Sequence, residues 1–158
     1  MTQNMVERSK NNGTLPATTE KVADVLEREM DFVIHDWREM VEKQEDLVNI
    51  PLNFEERTGY LPQLLRDLIA RLRLHVGTKA PISIAASQHG ELRRRQGYTV
   101  AMVVEESRLL EVCLFTTLHK RVSQLNFTKL LPDVVTIADE ADAQLKQQVL
   151  CYMVANAI

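Results

Sequence analysis

Apolar side chains along this chain recur at spacings of three and four and nowhere alternate strictly, a pattern that predicts helices and no strands. From Thr18 or Thr19 the stripe Val22, Val25, Leu26, Met30, Val33, Trp37, Val41 and Leu47 has an acidic back, so a long first helix is expected up to the break at Pro51. The stretch "YLPQLLRDLIARLRLHV" predicts a second helix, with Leu61, Leu64, Leu65, Leu68, Ile69 and Leu72 on its apolar face and Gly77 and Pro81 at its exit. A third is expected over 82–96, ending at Gly97, a natural left-handed cap, and a fourth from Thr99 to about Leu125. Asn126 and Pro132 punctuate the next turn, after which Val134, Val135, Ile137, Leu145, Val149, Tyr152 and Met153 outline a fifth. The expected fold is all-α, a bundle of about five helices forming one regulatory domain over 18–158, behind a loose arm over 1–17.

Composition agrees with a packed helical domain. Hydrophobic residues make up 45% of the 158 positions and charged residues 26%, a globular balance with an aliphatic core. The chain carries no stretch of about 18 uncharged apolar residues and no apolar leader at its start, so it reads as cytoplasmic with no membrane partner. Cys113 and Cys151 lack metal-ligand spacing to any histidine and are expected to be core thiols, with no metal and no cofactor implied. Net charge is −3, divided as −6 over 1–60, +5 over 61–100 and −2 over 101–158. That modest basic centre is expected to pack beside the acidic first segment and not to bind nucleic acid.

The candidate chemistry lies in "HGELRRRQGYTVAMVVEES", residues 89–107. At 100° per residue, His89, Arg93 and Gln96 share an arc with Ile82, Ala85, Ala86 and Leu92, so the trio points inward, while Glu91, Arg94 and Arg95 face solvent. An inward guanidinium costs several kcal/mol, of order 3–5, unless it is paired. Glu106, flanked by apolar neighbours on the next helix, is the expected partner, and Gly97-Tyr98-Thr99 reverses the chain so that the two can meet. The fourth helix carries a main apolar stripe of Val100, Val103, Val104, Leu110, Leu114, Leu118 and Val122 and a second of Met102, Leu109 and Cys113. Two stripes mean either a central helix or a surface for a partner, which would make a homodimer.

His89-Gly90, Arg93, Gln96-Gly97-Tyr98-Thr99 and Glu106, followed by leucines at 109 and 110, resemble the amino-terminal domain of RsbRD-type stress co-antagonists, a domain type also found at the front of bacterial sensor histidine kinases. The likeness extends over most of 20–155, including "LPQLLRDLIARL" and "DEADAQLKQQVLCYMVA". It implies a helical, cytoplasmic, usually dimeric input or scaffolding domain without catalysis, acting on a signalling partner or a fused output module. Ser107, where an aromatic usually follows the glutamate, and Glu111, where a basic residue is common, depart from that pattern.

A rival reading makes His89 a phosphoacceptor, because "HGELR" resembles the H-box of histidine-kinase dimerisation domains. Gly90 separates the histidine from Glu91, no proline follows the arginine, and the arc turns the imidazole inward. The Lys-Gly that closely follows the histidine of phosphotransfer domains is absent too. No phosphate loop, nucleophile elbow or zinc-binding histidine pair occurs, so no catalytic residue is expected. On this reading His89, Arg93, Gln96, Gly97, Tyr98 and Glu106 form an architectural joint.

Overall fold

The computed structural model describes residues 19–155, and within them the chain is all-helical. The proposed arm over 1–17 lies outside the described residues. The expected first helix is three: α1 (Val22–Arg28), α2 (Met30–Val41) and the single turn α3 (Glu45–Val48). Glu29 leaves helical geometry between α1 and α2 at φ −91° and ψ 6°, so both can lay their apolar sides on the core. A short helix not anticipated from the pattern, α4 (Phe54–Thr58), follows Pro51. It is started by a capping box in which Asn53 Oδ1 accepts from the Glu56 amide at 2.9 Å and Glu56 Oε2 accepts from the Asn53 amide at 2.8 Å.

Helix α5 (Leu61–Leu72) buries five of the six residues expected of it, leaves Leu72 half-buried, and ends at Leu72, short of the expected exit near Gly77. Helix α6 (Ile84–Arg95) begins two residues later than predicted, because Ser83 is its N-cap: Ser83 Oγ accepts from the Ala86 amide and donates to Asp67 at 2.6 Å. Ile82 therefore precedes the helix and is exposed, against expectation. Gly97, at φ 87°, closes α6, and Thr99 caps α7 (Val100–Lys120) by accepting from the Met102 amide. A 3-10 turn over Val122–Gln124 leads to α8 (Phe127–Val154), capped by Asn126. Pro132 stands inside α8 rather than before it, so the last helix is about two turns longer than the pattern predicts.

Helix α7 is central, packed by α1 and α2 on one side and α8 on the other. This corrects the idea that Met102, Leu109 and Cys113 form a partner surface. Leu109 and Cys113 are 1% and 3% exposed, Cys113 Sγ lies 3.3 Å from Met40 Sδ, and Met102 is half-buried against the same core. The second stripe is turned inward because α1 and α2 cover it. Val100 and Val104, expected in the main stripe, are instead exposed. Cys151 is only half-buried, so of the two cysteines Cys113 alone is a core thiol. The acidic first segment does meet the basic centre: Arg73, the residue after α5, pairs with Asp24 and Glu27 of α1 at 2.9 and 2.7 Å.

Helices α6 and α8 touch at the backbone. A Cβ on Gly90 would stand 2.1 Å from the Gln148 carbonyl oxygen, a separation no side chain tolerates. Glycine at this position, costly in a helix interior by about 1 kcal/mol, is what lets the two axes approach.

Candidate functional site

The close packing of α6 on α8, and the turn at Gly97 that leads into α7, carry the polar residues of 89–107 into the interior. Arg93 is fully buried. Its Nε donates to Glu106 Oε2 at 2.9 Å, and its terminal nitrogens donate to Gln96 Oε1 at 2.7 Å, to the Glu56 carbonyl at 2.8 Å and to the Arg57 carbonyl. Those two carbonyls belong to the last turn of α4, where main-chain acceptors have no helical partner and the helix dipole favours a cation. One guanidinium thus neutralises a carboxylate and caps a helix, which a planar five-donor fork can do and an ammonium cannot.

Glu106 is matched on every side. Tyr98 Oη donates to its Oε1 at 2.8 Å, His89 Nε2 stands 3.5 Å from its Oε2, and its own carbonyl accepts from the Trp37 indole at 3.1 Å. Burial by itself would raise this carboxyl, but the His89 contact, the Arg93 charge and the Tyr98 hydroxyl together hold it below its ordinary value. Arg57 continues the network. It donates to the Tyr98 oxygen at 2.8 Å and to the carbonyls of Leu47 and Ile50 at 2.9 and 2.7 Å, tying α3 and its exit to the joint. Burial first, then the neighbouring Glu106 charge, pushes the Tyr98 phenol up to about 12, so it stays a donor.

His89 is 4% exposed. Its Nδ1 accepts from the Tyr60 amide at 3.3 Å, which leaves the proton of a neutral ring on Nε2, facing Glu106. Burial is the main cause holding its imidazole below the ordinary value, and the Arg93 charge adds to it. Beside His89 and Glu106 is a cavity of about 20 Å³, bordered also by Ser107, Gln144 and Gln148. That is room for about one water molecule. A larger groove of about 440 Å³, between α5, α6 and their connection, is lined by Asp67, Arg71 and Glu140 and by none of the residues singled out from 89–107.

The structure therefore brings together His89, Arg93, Gln96, Tyr98 and Glu106, with Gly97 making the turn that allows it. Glu91 and Arg95 are exposed, while Arg94 lies over the Tyr152 ring at 4.9 Å. Sequence reasoning missed Trp37 as a donor, Tyr60, Arg57 and the α4 carbonyls. The Asn53-x-x-Glu56 spacing is the signal that could have revealed α4, and with it the acceptors that Arg93 needs.

The joint also reaches α8. Tyr152 Oη donates to the Tyr98 carbonyl at 2.6 Å, and Gln144 Nε2 donates to Glu140 Oε1 and to the Leu64 carbonyl at 3.1 and 3.0 Å. Among the described residues no helix is long and apolar enough to cross a membrane, and no group of three or more His, Cys, Asp or Glu has the arrangement of a metal site. No known protein family, curated protein or solved structure matches the chain.

Proposed function

We propose that this chain is a non-catalytic input or scaffolding domain of bacterial signalling. In this reading it acts through dimerisation and protein contacts at the front of a stress-response regulator or sensor histidine kinase, in the cytoplasm. The residue pattern His89-Gly90, Arg93, Gln96-Gly97-Tyr98 and Glu106 supports the kinship. The observation that carries the reading is the buried network itself: the ionisable groups of that pattern, on α6, its closing turn and α7, face one another, and α4 supplies carbonyls to Arg93. Buried polar networks have discrete alternative pairings, so a small displacement at one helix is passed on as a change of packing and not as a graded strain. Here the links to Tyr152 and Gln148 supply a route from the joint to α8.

Fusing the chain ahead of a dimeric histidine-kinase output module tests this. Arg93→Lys, which keeps the charge but not the fork, is expected to shift autophosphorylation by about fivefold or more, the lower end of ordinary allosteric coupling. Equal output from the wild-type, variant and chain-free modules, with the fusions folded, contradicts the reading. The phosphoacceptor alternative draws no support from an imidazole with both nitrogens engaged inside the core. An acid-labile, alkali-stable label from a kinase, abolished by His89→Gln, would establish it instead.

A further inference from the structure

Helix α8 has its polarity reversed. Its inner face buries Glu140, Gln144, Gln148 and Tyr152, whereas Phe127, Leu131, Val135, Leu150, Met153 and Val154 are 48% to 71% exposed. At 100° per residue Leu131, Val135, Leu150 and Met153 fall on the side opposite the buried ones, with Phe127 and Val154 at its edges, so the apolar positions lie towards the two ends of a 28-residue helix about 42 Å long. Between them, on the same outer side, stand the exposed Asp139, Asp142 and Lys146. Two exposed apolar patches on one outer side, with charges between them, mark a contact surface.

The order of residues along that face selects its occupant. Reversing a second copy of α8 about a point between Asp142 and Ala143 sets Asp139 opposite the partner's Lys146 and Val135 near the partner's Leu150, with Leu131 and Pro132 at the height of the partner's Met153 and the partner's Val154. Apolar ends meet apolar ends, and two opposite-charge pairs form at the centre. Pairing the copies in parallel and in register would instead set Asp139, Asp142 and Lys146 each against its own like, which is unfavourable. Asp139 has capacity for such a contact, since its side chain is 73% exposed and its one ion pair, to Arg71, is 3.8 Å long. Asp142 lies nearer the flank, where its charge helps to raise the Glu111 carboxyl. A strip of this length and about 12 Å wide on each copy gives about 1,000 Å² in total, the size at which specific interfaces begin.

We propose that the outer face of α8 is the dimer surface, pairing antiparallel with the same face of a second copy about a twofold axis between Asp142 and Ala143. This rests on the dimeric part of the function proposed above and names its surface, in place of the Leu109 stripe that the fold buries.

The test is light scattering behind size exclusion over a hundredfold range of concentration on the full chain, with circular dichroism as the check on folding. Leu131→Glu, at a position 71% exposed, should leave the fold intact and weaken the dimer about a hundredfold. Asp139→Lys should weaken it about tenfold, and adding Lys146→Asp should restore it. A spin label on Ala155→Cys, in a Cys151→Ser background, should report about 40 Å between copies for the antiparallel register and much less for a parallel one. A dimer indifferent to these substitutions overturns the α8 surface and leaves the dimeric reading standing. A dimer that Leu131→Glu breaks but whose labels lie close together overturns the antiparallel register. A monomer at every concentration overturns both, and leaves this face to a different partner.

Discussion

The side of the molecule built from α1, α2 and α5 and the side built from α4, α6 and α7 are held by different physics. On the first, Val25, Leu26, Val33, Leu65 and Leu68 share one core with Val103 and Leu114 of α7, and ion pairs such as Arg73–Glu27 stay on the surface. On the second, a buried arginine, carboxylate, phenol and imidazole meet at hydrogen-bond distance. Burial is non-directional and tolerates a change of shape at constant volume. A charged network is directional and fails when one member leaves, because the remaining charge has no water to return to. The aliphatic side supplies cohesion, and the polar side specifies one angle between α6 and α7.

The largest effect that would separate the two sides is at Arg93. Arg93→Ala should cost about 3–5 kcal/mol in denaturant unfolding, since it strands Glu106 and uncaps α4. Leu68→Met, on the aliphatic side, should cost less than about 1.5 kcal/mol. Equal costs would erase the distinction. Next in size is Gly90→Ala, whose methyl group must displace the Gln148 backbone. A loss of about 1–3 kcal/mol is expected, read in the same unfolding experiment, although alanine is the better helix former. A gain in stability would mean that α6 and α8 do not touch.

The smallest effect is a pH slope. The folded His89 imidazole titrates below its ordinary 6.5, so between that lowered value and 6.5 the unfolded chain holds a proton that the folded chain lacks. Stability is complete above about 6.5 and falls as pH drops through this window, by at most about 1.4 kcal/mol per pH unit for one proton. Glu106, also lowered, extends the loss below its ordinary 4.5. His89→Gln should flatten the slope between pH 7 and 5.5 in pH-dependent unfolding. An unchanged slope would mean that His89 titrates like an exposed histidine.

Where one face of an element is apolar and the other polar, the sequence was enough. Helix α5 buries its expected face from Leu61 to Ile69, and the angular reading of α6 turned His89 and Arg93 inward because Ala85 and Ala86 share their arc. Gly97 and Thr99 marked the turn by backbone conformation and capping, both local properties. What was not legible depends on tertiary neighbours. The split at Glu29 and the burial of Leu109 reflect where α1 and α2 come to lie, which no local window contains. The reversed polarity of α8 was hidden because polar positions such as Glu140 and Gln144 read as a solvated face until the acceptors of Gln144, the Glu140 carboxylate and the Leu64 carbonyl, are known. At the site, the carboxylate partner of Arg93 could be named in advance, but not the α4 carbonyls, which exist as acceptors only once that helix ends there.

The most direct measurement is a double-mutant cycle on Arg93 and Glu106, with Arg93→Ala, Glu106→Ala and the pair compared by denaturant unfolding. If the two hold one another inside the core, each single change strands the other charge and the double variant costs far less than their sum, with a coupling of about 2 kcal/mol or more. Costs that add to within about 0.5 kcal/mol would contradict the account, since independent sites behave that way and a buried joint cannot.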